Sequence, residues 1–148
     1  MSELSIRDRR WWGPRIWRML HSLAEISDRS DCGPLWRAVV HATAEVLPCA
    51  LCKKHFQEAI RRMQFPIGQS MQARMRHSLW FAHAAVGGTL PEEGLVAEYG
   101  GDRAAVAQRA ADLLREVSDA FRAFTNVTKW HGVTAQLIAL LSVAERRR

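Results

Sequence analysis

GPLWRAVVHATAEVLPCALCKKHF, residues 33–56, reads as two helices joined at a proline. Gly33-Pro34 opens the first of them, because proline is favoured at a first helical position, where its missing N–H has no partner to lose. The chain stays helical through Leu47 and stops at Pro48, which cannot continue the backbone hydrogen-bond ladder. The next helix runs from about Cys49 to Met63. Cys49 therefore stands at a helix N-terminus, with Cys52 one turn in. Unpaired backbone N–H groups and the helix dipole favour thiolate over thiol there, and Lys53 and Lys54 add positive charge.

The same punctuation recurs on both sides. Upstream, Gly13-Pro14 is expected to open a helix with Ile16, Trp17, Leu20, Leu23 and Ala24 on one face. Downstream, Phe65-Pro66-Ile67-Gly68 reads as a loop, and a helix from about Gln69 to Val86 ends at Gly87-Gly88. The stretch from Pro91 to Gly101, rich in Gly and Glu, holds at most a short helical turn. Asp102 suits the N-cap of a long helix striped by Val106, Leu113, Val117, Phe121 and Phe124. Asn126 or Thr128 starts the last helix, which carries Trp130, Val133, Leu137, Leu141 and Ala144 before the tail Arg146-Arg147-Arg148. No segment reads as a strand and no repeat is evident. The fold class is all-α, a helical bundle in one domain spanning 1–148.

Bulk properties agree with that. A chain of 148 residues, 48% hydrophobic and 24% charged, is globular in composition. At that size it can bury roughly 70% of its unfolded surface. No run approaches about 18 uninterrupted apolar residues, so no membrane span is expected. The N-terminal MSELSIRDRRWWGPR is charged where a secretory signal needs apolar residues, so no signal peptide is read. The net charge of +6, from 21 Lys and Arg, invites a nucleic-acid partner, but the cations are spread over every segment. No nucleic-acid role is expected.

Three cysteines are too few for a disulfide scaffold, and Cys32 is left over beside the Cys-x-x-Cys pair. Such a pair points to redox or metal chemistry. Haem attachment needs His directly after the second Cys, where Lys53 stands. Zinc held by Cys49, Cys52 and a histidine such as His55 has no second pair at ligand spacing, so no metal site is assigned. A thioredoxin-type site needs a parallel sheet that is not there. Two buried structural cysteines fit poorly between a proline and two lysines.

The pair does not stand alone. Upstream is Trp12-Gly13-Pro14-Arg15-Ile16-Trp17-Arg18-Met19-Leu20-His21, and downstream Trp80-Phe81-Ala82-His83-Ala84-Ala85-Val86-Gly87-Gly88-Thr89-Leu90. The order W-x-x-L-H, P-C-x-x-C-x-x-H-F, H-x-x-V resembles the Erv/ALR family of FAD-linked sulfhydryl oxidases. The W-G-P start and the C-x-x-H-F continuation are most similar to its viral members. The resemblance covers about residues 11–90.

The resemblance implies a four-helix bundle around FAD, with residues 91–148 as additional helices and a possible dimer interface. It implies Cys49 and Cys52 as the catalytic disulfide, Cys49 meeting the substrate and Cys52 lying against the flavin. Gly13, Trp17, His21, His55, His83 and Val86 become the cofactor-binding residues. The family's H-N-x-V-N motif is broken here by Ala84 and Gly87. No spacing selects among Arg15, Arg76 and Arg103 for the pyrophosphate. The implied activity passes electrons from protein dithiols through the disulfide to FAD and then O2, giving hydrogen peroxide. The implied partners are those dithiol substrates and a second copy in a homodimer. The viral likeness implies the cytoplasm of an infected cell and the virion. The family's relay cysteine pair cannot be built. Cys32 is expected to be an idle thiol in a loop, with a one-cysteine relay or a bridge to a partner as the other readings. The alternative function is a non-catalytic helical module that holds zinc or another protein.

Overall fold

The computed structural model describes residues 9–62, 69–87, 91–123 and 126–144. Among the described residues there are seven α-helices and a short 3-10 turn, and no strand. The helices are α1 (Arg9–Glu25), α2 (Gly33–Val46), α3 (Ala50–Arg62), α4 (Met71–Gly87), α5 (Leu95–Tyr99), α6 (Arg103–Phe121) and α7 (Val127–Leu141), with the 3-10 turn Glu92–Gly94 before α5. The protein is all-α. The expected loop Phe65–Gly68, and Met63, Gly88, Phe124 and Arg146–Arg148, lie outside the described residues.

Most helix starts follow the local chemistry. The Asp102 carboxylate accepts the Ala105 N–H at 3.1 Å and caps α6. Asn126 precedes α7 in the left-handed region (φ 73°), a conformation its short polar side chain tolerates. Gly13-Pro14 does not behave as expected. The helix already runs through it from Arg9, with Pro14 inside. Trp12 and Ile16, 4% and 3% exposed, anchor the chain on either side of the proline. The Trp11 carbonyl, beside the one Pro14 leaves without its N–H, takes a hydrogen bond from Arg15 Nη1 at 2.8 Å.

The helices close into a ring. α1 packs on α6, α6 on α7, α7 on α2, α2 on α3, α3 on α4, and α4 back on α1. α1 and α2 are not among the closely packed pairs, because α6 and α7 stand between them. The helices beyond residue 90 are thus built into the bundle. Phe121, Trp130, Leu137 and Leu141 have no exposed surface. The buried stripe of α6 is Val106, Ala110, Leu114, Val117 and Phe121, so Leu114 replaces the expected Leu113, which is half-buried. Trp130 donates its indole N–H to Thr43 Oγ1 at 3.0 Å.

One ion pair ties the end of α1 to α4. The buried Glu25 carboxylate accepts Arg76 Nη2 and Nε at 2.7 and 2.8 Å. This fork-to-fork geometry is the strong form of the interaction. No helix among the described residues is long and apolar enough to cross a membrane.

Candidate active site

Pro48 ends the turn after α2, and Cys49 becomes the N-cap of α3, its carbonyl accepting the Lys53 N–H at 2.9 Å. The Cys49 sulfur accepts the backbone N–H of Cys52 at 3.2 Å, as a capping oxygen would. Both are free thiols in the form described. The Cys49 thiol is held below its ordinary value, first by the Cys52 thiol hydrogen-bonded to it and next by the Cys52 N–H. Cys52 is pushed up, first by burial and then by the neighbouring Cys49. The pair is polarised: the negative charge belongs on Cys49.

Beside the pair lies a cavity of about 380 Å³, within the roughly 300–1,000 Å³ range of small-molecule sites. α1 contributes Gly13 and Trp17, α3 contributes Cys52 and His55, and α4 contributes His83 and Val86. Seven site residues besides Cys49 were read from sequence, and all of these but His21 line this space. Cys49 stays outside the lining while Cys52 is part of it.

His21 takes a different place from the one expected. It is 1% exposed and stands behind the wall, its Nε2 3.0 Å from His83 Nδ1. His83 in turn lies flat on Trp17, ring centroids 4.2 Å apart and planes 5° from parallel. Tyr99 stacks on the other ring, 4.9 Å from His21. Burial keeps both histidines neutral, His83 at about 4 and His21 at about 3, the latter also lowered by His83 beside it. Of two neutral rings one donates and the other accepts in that bond, so the tautomers of His21 and His83 are coupled.

Several lining residues were not foreseen. Tyr99, the chain's single tyrosine, comes from α5, in a stretch where only a short turn was expected. Gly100 lets the chain leave α5 there, since a Cβ would stand 2.6 Å from the Val96 carbonyl oxygen. The only sequence signal was a tyrosine between short helix and glycine. The cations lining the cavity are Arg9 and Arg10. Arg15, Arg76 and Arg103 do not line it; they pair with Glu116, Glu25 and Asp28. Trp130 does not reach it either.

Cys32 is a free thiol in the turn before α2, where it was expected, but it is buried there and not able to relay. It is 0% exposed, caps α2, and donates its thiol to the Arg29 carbonyl at 3.0 Å. A bridge to a partner chain has no access to it.

The lining suits a flat aromatic group. Trp17, Phe56 and His83 present ring surfaces, and Arg9 and Arg10 can meet phosphate oxygens. Trp12, also in the wall, carries an indole N–H with no partner among the described residues. A buried donor of that kind is costly unless something accepts from it. Among the described residues no group of three or more His, Cys, Asp or Glu is placed to hold a metal ion. No protein-family model, curated protein or solved structure matches the chain.

Proposed function

We propose that this chain is an FAD-dependent sulfhydryl oxidase of the Erv/ALR type, acting on protein dithiols through Cys49 and Cys52. The observation that carries the reading is convergence. Gly13, Trp17, Cys52, His55, His83 and Val86, selected from three separate motifs, border one cavity. Core packing alone gives no reason for the redox cysteine and these residues to share it. The zinc-binding alternative lacks a set of three donors among the described residues.

In the oxidised form a substrate thiolate attacks the half-buried Cys49 sulfur; a substrate–Cys49 bond forms and the Cys49–Cys52 bond breaks. The electron pair leaves on Cys52, which sits in the cavity wall. A second substrate thiolate then attacks the first substrate sulfur, and Cys49 departs as a thiolate. That departure is helped by the lowered pKa of Cys49, because a more acidic thiol is a better leaving group. FAD held there would supply the two-electron acceptor, with O2 as the final oxidant and hydrogen peroxide as its product. His83, in a tautomer coupled to that of His21, would border the cofactor, and Arg9 and Arg10 would offer charge to its pyrophosphate. A homodimer, and action in an infected cell or virion, belong to the same reading.

The test is direct. Purified protein should be yellow, with flavin absorption, and should make peroxide from a dithiol. Cys49→Ser and Cys52→Ser should each lower that rate by at least about a hundredfold. A colourless protein that binds zinc stoichiometrically would sink the proposal.

A further inference from the structure

The surface around Cys49 is strongly one-sided in charge. Arg9 and Arg10 are exposed at the start of α1, and Lys53 and Lys54 follow Cys52 directly, Lys54 exposed. The positive field of Arg9 acts on both sulfurs. Among the described residues, acidic side chains are sparse in the elements that build this end. α1 has none before Glu25, α3 none before Glu58, and α4 none at all. Among the described residues, the carboxylates near the lining in sequence include Glu58, Glu98, and Glu45, which is paired with Lys129 at 3.4 Å. At the tip itself, between the two cysteines, Leu51 is 60% exposed beside an exposed Ala50. A large apolar side chain left in water at the reactive tip has no packing role.

We propose that this rim is a docking surface for an extended segment of a substrate protein whose reactive cysteine is flanked by Asp or Glu, with an apolar neighbour that covers Leu51. The inference rests on the proposed dithiol chemistry at Cys49 and names its substrate class. Arg9, whose charge reaches both sulfurs, and the lysines that follow Cys52 raise the local concentration of an anionic segment and repel a cationic one. They also favour the thiolate that the segment must displace. The apolar contact at Leu51 orients the segment along the tip and withdraws the sulfurs from water during exchange.

The experiment uses Cys52→Ser protein, in which Cys49 is the only accessible thiol because Cys32 is buried. The probes are three synthetic peptides, each with one cysteine held as a mixed disulfide with thionitrobenzoate. The cysteine is flanked by Glu in the first, Lys in the second and Ser in the third. The Cys49 thiolate attacks the peptide sulfur, the new disulfide forms, the bond to thionitrobenzoate breaks, and the coloured thiolate leaves. Mass spectrometry counts the peptide adduct. No flavin takes part, so the outcome is independent of whether FAD binds.

The Glu-flanked peptide should react roughly tenfold faster than the Lys-flanked one at low ionic strength. The ratio should fall towards one at about 1 M salt, where the screening length is about 3 Å. Lys53→Glu with Lys54→Glu should invert or erase it. Because the readout is a ratio at one pH, a change in Cys49 nucleophilicity cancels. Leu51→Ser should narrow the advantage of a peptide carrying Leu beside its cysteine over one carrying Ser. Equal rates for the Glu and Lys peptides at low salt overturn the docking surface and leave exchange at Cys49 standing. A preference that survives 1 M salt overturns it as well, and this arm decides if the charge-reversed protein does not fold. Adducts with none of the peptides overturn both the docking surface and the assignment of Cys49.

Discussion

Cys32 and Cys49 occupy the same position in two successive helices and have opposite chemistry. Each is an N-cap: the Cys32 carbonyl accepts the Trp36 N–H at 2.9 Å, and the Cys49 carbonyl accepts the Lys53 N–H at the same distance. Cys32 points into the core, donates to the Arg29 carbonyl, and has its pKa raised, chiefly by burial. Cys49 is half-buried, accepts from the Cys52 N–H, and has its pKa lowered. The helix terminus is therefore not enough to make a reactive thiol. The direction of the hydrogen bond and access to water decide whether the dipole finds a sulfur that can ionise.

The hardest way to break this contrast is to remove the packing behind each thiol. Trp36, buried beside Cys32 and donating its indole N–H to Ser27 Oγ at 2.7 Å, should cost about 3–5 kcal/mol when changed to Ala. Phe56, buried in the wall of the cavity next to Cys52, should lose less than Trp36 on the same change, because the cavity already leaves part of its ring without neighbours. Denaturant unfolding of both variants measures the difference. Equal losses would mean that the active end is packed as tightly as the core.

A reactivity measurement sharpens the same comparison. In the reduced, folded protein Cys49 should be alkylated on the order of a hundredfold faster than Cys32, read by peptide mapping after timed quenching. Its rate should rise with pH around a midpoint below that of an ordinary thiol. In denaturant the two rates should converge, which assigns the difference to the fold.

Smaller still is the response to a single polar atom. Cys32→Ser places a hydroxyl in a fully buried site and should cost about 1–2 kcal/mol. Cys49→Ser should stay within about 0.5 kcal/mol, since serine is a good N-cap and the site meets water. Thermal unfolding of the two variants tests the order.

A pH titration reads the histidine pair behind the cavity. His21 and His83 titrate near 6.5 when unfolded but at about 3 and about 4 in the folded protein. The unfolded chain thus binds more protons between these values, so stability rises with pH there. The contribution is complete above about pH 6.5 and is lost as pH falls towards 4 and below. Melting temperature should therefore drop several degrees between pH 7 and 5, and His21→Gln should flatten that slope.

Much of this was readable from residue order. Asp102 announced its helix because capping is local chemistry, settled within a few bonds, and Asn126 marked the next because asparagine tolerates the left-handed turn before it. The Pro48-Cys49 junction announced the reactive terminus for the same reason. Pro14 misled, because tertiary anchoring of Trp12 and Ile16 outweighed a local preference for starting a helix at a proline. Tyr99 was invisible, since its partner His21 lies 78 positions away and no periodicity links them.

By itself, then, the sequence determined the helical class, the chemistry available at Cys49 and Cys52, and which side chains to watch. Periodicity, caps and motif spacing are short-range properties, and they survive without knowledge of the whole. Only the tertiary structure decided that α6 and α7 separate α1 from α2, that His21 stands behind His83, and that Cys32 is sealed. Those outcomes depend on which apolar faces meet across the ring and on which polar atoms lose water when they do.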